Sequence, residues 1–219
     1  MSHEELARTF DRWAAEGRDV GMEEEHSGVF GQVVAQLRIV AGEQILDLGC
    51  GNGWATRLLA KAAAGVTAIG VDVSPKMIAR AEELHSLTIR ARYELAAFEA
   101  LGFKDARFDR VFSMEALYYA VDLGRALGEA FRVLKPGGRA DVIVDFYVES
   151  PSTQAWPAKT GLPMHYLSTT RWCEAFELAG FNEVSAQRVI DERTPETIDP
   201  LHVASKQDGS LWISARKPA

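Results

Sequence analysis

The chain has 219 residues, of which 47% are hydrophobic and 25% are charged, and these are ordinary values for a globular protein. This length favours a single domain covering residues 1–219. The formal net charge is −7 and no dense run of lysine or arginine offsets it, which argues against a surface built for the phosphates of nucleic acid.

Cysteine usage and the first residues predict a cytoplasmic protein. The two cysteines are Cys50 and Cys173, and Cys50 lies inside a glycine-rich turn where a disulfide would crowd the loop. Two free thiols are typical of a reducing compartment. The amino-terminal residues are polar and acidic, unlike a signal peptide, and no apolar run is long enough to span a bilayer. We therefore expect no membrane partner.

Two helices are predicted before the first strand. Residues 2–15 place Phe10 and Trp13 on one apolar face, and residues 22–39 carry a second apolar stripe. Two glycines separate the helices. We expect residues 1–40 to form a helical lid over the functional side of the fold.

From residue 44 onwards, strands and helices alternate, which is the pattern of a mostly parallel sheet with helices on both faces. The fold class is therefore predicted as α/β, Rossmann-like and doubly wound. No helix is predicted between the last two strands, so we expect a hairpin there and an antiparallel C-terminal strand in a seven-stranded sheet. The predicted strands are 44–48, 67–73, 89–95, 108–115, 139–147, 181–190 and 209–216, and the predicted helices are 54–64, 75–85, 122–134 and 168–180.

Two connections stand out in this pattern. Residues 135–138 read Lys-Pro-Gly-Gly and are predicted to end a helix and turn the chain. Residues 148–167 contain proline, glycine, serine and aromatic residues without periodicity. Because connections of this length are usually functional or disordered, we predict that residues 148–167 form a substrate loop.

The stretch from Ile45 to Trp54 reads as a strand, a tight turn with three glycines and the start of a helix. Glycines let a ligand approach the backbone, and the amides that open the helix point into the same space. Asp47 precedes the turn, and Asp72 ends the next strand roughly 20 residues on, where an acid can bind ribose hydroxyls. The stretch therefore predicts a cradle for a nucleotide-type cofactor.

Two cofactor classes fit such a cradle. A dinucleotide fold has the spacing Gly-x-Gly-x-x-Gly, whereas here glycines stand at alternate positions, 49, 51 and 53. Asp47 would also repel a pyrophosphate but would favour an ammonium group nearby. Both features count against an NAD(P)-dependent oxidoreductase.

Four ordered motifs resemble class I S-adenosylmethionine-dependent methyltransferases of the small type 11 kind. Residues 45–53 match the pattern Val/Ile-Leu-Asp-x-Gly-Cys-Gly-x-Gly, and Asp72 matches the acid that ends the second strand. Residues 108–111 match Phe-Asp-x-Val, and residues 132–138 match Arg-Val-Leu-Lys-Pro-Gly-Gly. Each motif alone is weak, but together and in order they carry the resemblance over the core half of the chain. The implied cofactor is S-adenosyl-L-methionine.

The resemblance implies a role for each matched position. Asp47 and the backbone of Gly49 and Gly51 face the methionine part of the cofactor. Asp72 holds both ribose hydroxyls, and Val73 lies against the adenine. The implied cofactor-binding set is Asp47, Gly49, Cys50, Gly51, Gly53, Trp54, Asp72, Val73, Ala97, Phe98 and Met114.

Some of these positions carry alternatives. Ala97 stands where the family usually has the acid that binds adenine, so the amide of Phe98 or the carboxylate of Glu99 is expected to substitute. We expect Cys50 to be a packing residue of the turn and not a nucleophile, since no histidine and aspartate partners are recognisable. Trp54 is either core packing or a wall of the pocket. Met114 would offer its carbonyl to the amino-acid end of the cofactor.

The candidate catalytic residues are Glu115, Tyr118, His26 and His165. Glu115 and Tyr118 follow the fourth strand at the ligand end of the sheet and would orient or deprotonate an acceptor. Ordinary packing or surface roles are the competing interpretation for each of the four. Trp156 and nearby tyrosines would form an aromatic wall for an alkylammonium acceptor, or would simply pack the loop. No histidine or cysteine cluster has the spacing of a metal site.

The resulting hypothesis is methyl transfer from S-adenosylmethionine to a nitrogen or oxygen atom of a small-molecule acceptor. The alternatives are an NAD(P)-dependent oxidoreductase and a non-catalytic cofactor-binding protein of the same fold. We expect a small-molecule substrate, no nucleic acid, and compatibility with a homodimer.

Overall fold

The computed structural model describes residues 1–191 and 200–219. Seven strands form one sheet, and they are β1 (Gln44–Leu48), β2 (Thr67–Asp72), β3 (Ala91–Leu95), β4 (Phe108–Met114), β5 (Leu134–Val144), β6 (Asn182–Val189) and β7 (Ser210–Arg216). Their order across the sheet is β3-β2-β1-β4-β5-β7-β6. The pairs among β1 to β5 are parallel, and β7 is antiparallel to both β5 and β6. The predicted fold class, including the antiparallel C-terminal strand, is confirmed.

Eight α-helices accompany the sheet in the described part of the chain, namely α1 (His3–Ala15), α2 (Met22–Leu37), α3 (Trp54–Leu59), α4 (Pro75–Glu83), α5 (Leu123–Val133), α6 (Trp156–Thr160), α7 (Thr169–Leu178) and α8 (Pro200–Asp208). Several begin at predicted caps, because a side-chain oxygen satisfies an amide that the first turn leaves unpaired. Ser74 accepts from Met77 N, Asp122 from Arg125 N and Ser168 from Arg171 N.

The core lies on both faces of the sheet because successive side chains of a strand point to opposite faces. Leu46 of β1 belongs to a buried cluster that also includes Leu127 of α5 and Trp172 of α7. Its neighbour Ile45 belongs to the opposite cluster, which includes Val33 of α2. The two layers hold the strands rigidly, so the loops at the carboxyl ends of β1, β2 and β4 have a fixed base.

Two predicted boundaries are wrong. The helix predicted to run from residue 54 to 64 ends at Leu59, and Ala64 instead accepts a hydrogen bond from Gly42 N in the loop before β1. The turn predicted at residues 135–138 is part of β5. A register shift between β4 and β5 absorbs the proline and glycines there, and Gly137 N donates to Lys217 O.

Two connections also differ from the prediction. The aperiodic stretch 148–167 contains a 3₁₀ turn at Pro151–Thr153 and the short helix α6. The strands β6 and β7 are antiparallel neighbours, but α8 stands between them, so they do not form the simple hairpin that was expected. Residues 192–199 of this connection lie outside the described residues.

In the ranges 1–191 and 200–219, we find no helix with both the length and the apolar character that crossing a membrane requires.

Candidate active site

A cavity of about 390 Å³ opens at the carboxyl ends of β1, β2 and β4, where open α/β sheets bind ligands. Its floor is the loop after β1, and its far wall is made by the N-terminal helices α1 and α2. Of the predicted site residues, the cavity is lined by Gly49, Gly51, Asp72, Val73, Ala97, Phe98, Met114, Glu115, Tyr118 and His26.

The glycine loop after β1 turns sharply because two successive amides, those of Gly49 and Cys50, donate to Val71 O at 2.8 and 3.0 Å. Gly49 has a φ of +74°, and a Cβ there would overlap the Cβ of Ala116. A Cβ at Gly51 would project into the cavity, 3.3 Å from the Cε of Met22. The bare backbone of this loop is therefore what leaves the floor of the cavity open.

Asp72 ends β2 beside that loop. One carboxylate oxygen accepts from Gly51 N at 3.0 Å and the other accepts from Ser74 N at 2.9 Å. Burial raises the pKa of Asp72 to about 6, although the hydrogen bonds from Ser74, Gly51 and Val73 lower it. The Asp72 carboxylate thus ties the glycine loop to β2 and presents to the cavity.

Asp47 and Cys50 lie behind the cavity wall. Asp47 is 1% exposed and accepts from the Thr56 hydroxyl at 2.6 Å. Burial, with a smaller contribution from Asp72, raises the pKa of Asp47 to about 7. The Cys50 side chain packs where a Cβ on Gly70 would stand, and burial raises the pKa of its thiol. Cys50 thus has the surroundings of a packing residue.

Gly53 and Trp54 begin α3 away from the cavity. A Cβ at Gly53 would overlap the ring of Tyr93. Trp54 is 4% exposed, packs edge-on against Phe30 of α2 and stacks on His26 with ring centroids 6.4 Å apart. Trp54 therefore connects the glycine loop to α2, and the stacking orients His26 at the cavity wall.

Ala97 and Phe98 border the cavity beyond Asp72, and the acid next to them is engaged elsewhere. Glu99 is 4% exposed, and its oxygens accept from Asp122 N at 2.9 Å and lie 2.8 Å from the His3 ring. The Glu99 carboxylate therefore links α1 to the start of α5. Because of these two partners, the Phe98 amide is the better candidate to replace the acid expected at Ala97.

Glu115 and Tyr118 form the clearest polar feature of the wall. The Tyr118 hydroxyl donates to Glu115 Oε2 at 3.0 Å, and Asp145 N donates to Glu115 Oε1 at 2.6 Å. Burial and the charge of Asp145 raise the pKa of Glu115 well above its usual range. Met114, at the end of β4, lies beside them.

The structure does not bring His165 to the cavity. Its Nε2 lies 2.9 Å from Ala120 O, and its amide donates to Tyr118 O at 2.9 Å. His165 therefore fastens the 148–167 segment to the turn that carries Tyr118. Trp156 of the same segment does line the cavity, stacked on Phe146 at 6.3 Å.

Sequence reasoning missed the anchors of the N-terminal helices. Asp11 accepts from Ser74 Oγ at 2.6 Å and from Lys76 N at 3.0 Å, so it caps α4 together with Ser74. Asp19 is 2% exposed, accepts from Asn52 through its carbonyl at 2.9 Å and pairs with Arg80 at 3.3 Å. These partners are distant in sequence and have no spacing signal that could have identified them.

Several cavity residues were also missed as site residues. Phe10 and Trp13 had been recognised as an apolar face, and that face lines the cavity. The further lining residues include Leu6, Arg18, Met22, Glu25, Tyr119, Asp145 and Lys159. Among the described side chains, no group of three or more histidine, cysteine, aspartate or glutamate residues could hold a metal ion.

The site fits an amino-acid nucleoside. The floor is bare glycine backbone, a carboxylate stands at the end of β2, and an apolar wall follows it. Together with the strand order, these features agree with the methyltransferase resemblance that the sequence motifs carry. The chain belongs to the class I S-adenosylmethionine-dependent methyltransferase family.

The comparisons with known proteins establish this membership. The family described as "Methyltransferase domain" matches residues 46–141. One solved structure is the complex between the Haloferax volcanii Trm112 methyltransferase activator and an inferred methyltransferase. A chain of that complex is 31% identical with a TM-score of 0.87, and the match covers 96% of this chain and 98% of that one.

Curated relatives match over shorter stretches. The O-methyltransferase resE of Aspergillus sclerotiorum is 35% identical over 130 residues, which is 57% of this chain and 49% of that protein. Phosphoethanolamine N-methyltransferase 1 of Triticum aestivum is 28% identical over 167 residues, which is 74% of this chain and 32% of that protein. The chain thus spans half or less of the length of these curated relatives.

Proposed function

We propose that this chain binds S-adenosyl-L-methionine and transfers its methyl group to a nitrogen or oxygen atom of a small molecule. The observation that carries the proposal is the meeting of the glycine loop, Asp72 and the Glu115–Tyr118 pair at one cavity. The relatives named above agree with methyl transfer, one being named for oxygen and the other for nitrogen, but other matched relatives include a C-methyltransferase, so the choice of acceptor atom rests on the cavity. An acceptor methylated on carbon would contradict this part of the proposal.

The cofactor, when bound, supplies a methyl group already activated for displacement. In our proposal, the residues that line the cavity hold it. The backbone of Gly49 and Gly51 takes the amino-acid end, Asp72 takes the ribose hydroxyls, and Val73 and Phe98 take the adenine. The remaining members of the predicted set, Asp47, Cys50, Gly53 and Trp54, shape the loop from behind.

The protein's own contribution is alignment and exclusion of water. Glu115 and Tyr118 would orient the acceptor, and Glu115 would take a proton if the acceptor arrives protonated. The N-terminal residues 1–40 serve as a lid, because both α1 and α2 contribute to the cavity wall and Asp11 and Asp19 fasten them to the cofactor side.

Calorimetric titration tests the proposal directly. Both S-adenosylmethionine and S-adenosylhomocysteine are expected to bind, and Asp72→Ala is expected to weaken both because it removes the acceptor at the ribose position. Binding of neither compound would refute the proposal. Binding of NADH in their place would restore the oxidoreductase alternative, and cofactor binding without turnover on broad acceptor panels would favour a non-catalytic binding protein.

The assembly we propose is a homodimer through the free edge of β3. Leu95 on this strand is 59% exposed and Leu87 just before it is 98% exposed, so apolar side chains flank a strand edge that no other strand pairs within residues 1–191 and 200–219. The Haloferax volcanii relative is named in a complex with an activator, so a different protein at this edge is the competing arrangement. Light scattering after size-exclusion chromatography measures the mass in solution. A single species of 24.1 kDa, the mass of one chain, would contradict the homodimer.

A further inference from the structure

We propose that the acceptor is an amine, received in its ammonium form at the Glu115 carboxylate and deprotonated there. This inference rests on the proposed function and narrows its acceptor from nitrogen or oxygen to a basic nitrogen. It is carried by the backbone and hydrogen bonds of Glu115 and by the aromatic rings of the same cavity.

Glu115 is held in place at some cost. Its φ of +55° lies in the left-handed region, which residues other than glycine rarely adopt. Its amide donates to Ile143 O at 2.9 Å, so the backbone is fixed in this conformation. The carboxylate then sits deep in the protein but keeps its solvent contact through the cavity.

Two donors already orient the Glu115 carboxylate, the Tyr118 hydroxyl and the Asp145 amide. Each carboxylate oxygen has room for a second bond, since an ionised carboxylate offers about four acceptor sites. Both existing donors are neutral. The arrangement therefore orients the carboxyl group without placing a positive charge beside it.

Charged residues of both signs line the cavity around Glu115, with Asp145 beside its carboxyl and Arg18, His26 and Lys159 elsewhere on the wall. The described groups that act on its carboxyl are Asp145, which raises its pKa, and the two hydrogen bonds, which lower it. Lys206, in a small pocket that also includes Asp145, pairs with Asp191 at 3.6 Å. Arg18 lies over the Trp13 ring at 4.2 Å, on the wall made by the N-terminal residues. Within this mixed set, the Glu115 carboxylate, with its two neutral donors, is the group that a cationic ligand would meet.

Aromatic rings continue the wall from Tyr118. The Tyr118 and Tyr119 rings lie 4.6 Å apart, and Phe10 meets Tyr119 edge-on at 5.1 Å. Ring faces attract alkylammonium groups, while the rings also accept the apolar part of such a ligand. A hydroxyl acceptor would gain less from both features.

The proton step is simple. The ammonium gives one proton to a Glu115 oxygen, which leaves a neutral amine with a free lone pair and a neutral carboxyl group. No other bond forms or breaks. The deep position of Glu115 and the neighbouring Asp145 favour the protonated carboxyl, so the side chain is suited to accept that proton.

The experiment uses three probes that share one scaffold: 2-phenylethylamine, 2-phenylethanol and phenylacetate. Each is titrated into the full chain saturated with S-adenosylhomocysteine. The amine is expected to bind about 10- to 100-fold more tightly than the alcohol, the range that a charge-assisted hydrogen bond supplies. Phenylacetate is expected to bind more weakly than either.

The variant Glu115→Gln keeps the shape of the side chain and removes its charge. It is expected to lose the preference for the amine while alcohol binding changes little. The matched control is Glu82→Gln on the exposed face of α4, which should leave all three affinities unchanged. If Glu115→Gln fails to fold, the comparison of the amine with the alcohol on the unaltered protein still tests the inference.

The outcomes separate the inference from the proposed function. If S-adenosylhomocysteine does not bind, the proposed function is refuted and the inference with it. If S-adenosylhomocysteine binds but the amine does not bind by about 10 mM, a limit near −2.7 kcal/mol, only the inference is refuted. Equal affinity for amine and alcohol, or a preference that survives Glu115→Gln, refutes it equally.

Discussion

Single atoms decide whether the cavity has an open floor. At Gly49 the added methyl group of an alanine would coincide with the side chain of Ala116, and at Gly51 it would enter the space that a ligand needs. Asp72 joins these glycines to β2 through the Gly51 amide. The floor of the site is therefore sensitive to changes that are mild elsewhere in the chain.

Gly49→Ala is expected to abolish measurable S-adenosylhomocysteine binding and to lower the free energy of unfolding by about 1–3 kcal/mol, because overpacking adds to the cost of its positive φ. Calorimetry and urea unfolding measure the two effects. Gly137 is a matched control, since it has the same φ of +74° and no atom within 4 Å of an added Cβ. Gly137→Ala should lower the free energy of unfolding without weakening S-adenosylhomocysteine binding. Normal binding of S-adenosylhomocysteine by Gly49→Ala would contradict the expectation.

The raised pKa values of Asp47 and Asp72 predict how stability depends on pH. Burial raises the first to about 7 and the second to about 6, from 3.8 in the unfolded chain. The folded state thus holds these protons more tightly, so their stabilising contribution is complete below pH 3.8 and is lost as pH rises through 6 and 7. Urea unfolding should give a free energy that falls from about pH 4 to about pH 7.

Asp47→Asn should flatten that slope, because asparagine can still accept from the Thr56 hydroxyl without becoming charged. At pH 8 the variant should be at least as stable as the unaltered chain. Glu94→Gln, on the exposed side of β3, serves as the control and should keep the slope. A slope unchanged in Asp47→Asn would show that other groups cause it.

At the scale of elements, the N-terminal helix α1 is attached to the site by polar contacts at both of its ends. His3 meets Glu99 near the start of the helix, and Asp11 accepts from Ser74 and Lys76 nearer its end. Leu6 is the one buried side chain of α1. We infer that α1 can separate from the cavity without unfolding the sheet.

Asp11→Ala is expected to speed the dissociation of S-adenosylhomocysteine roughly fivefold, since it removes hydrogen bonds worth about 1 kcal/mol net. Stopped-flow measurement gives the rate, and hydrogen exchange over residues 3–15 should quicken in parallel. Glu4→Ala changes an exposed residue of the same helix, 79% exposed in its pair with Arg8, and should do neither. An unchanged dissociation rate in Asp11→Ala would argue against a lid.

At the scale of the whole molecule, one buried charge network joins the sheet near the amino ends of its parallel strands, away from the cavity. Arg110 of β4 donates to Asp141 of β5 at 2.8 Å and to Leu37 O at the end of α2 at 3.1 Å. Asp141 is fully buried and also accepts from Trp212 of β7 at 3.1 Å. The Arg110 guanidinium and the Asp141 carboxylate therefore connect four elements, namely β4, β5, α2 and β7.

Arg110→Met is expected to lower the free energy of unfolding by about 3–5 kcal/mol, because Asp141 would be left as a buried charge with a single neutral donor. The double variant Arg110→Met with Asp141→Leu should recover most of that loss. As a control, Arg8→Met breaks an exposed ion pair with Glu4 and should lower the free energy of unfolding by less than about 1 kcal/mol. Urea unfolding measures all three, and a double variant no more stable than the single one would contradict the explanation.

The sequence by itself determined the alternation of strands and helices, the position of the glycine loop and the acid at the end of β2. These features are local, since the period of the apolar residues, the caps at Ser74, Asp122 and Ser168 and the glycine positions are all read within a few neighbouring residues. The inclusion of residues 135–138 in β5 was missed because backbone hydrogen bonds of Gly137 and Gly138 with Lys217, which is distant in sequence, hold that segment in the strand.

Only the tertiary structure decided which side chains meet at the cavity. Glu115 and Asp145 are 30 residues apart, and Asp11 and Ser74 are 63 apart, yet both pairs form hydrogen bonds. His165 and Glu115 were both candidates in the sequence, and the fold brings only Glu115 to the cavity. No local pattern encodes these contacts, because they depend on how the strands order themselves in the sheet and on where the N-terminal helices pack.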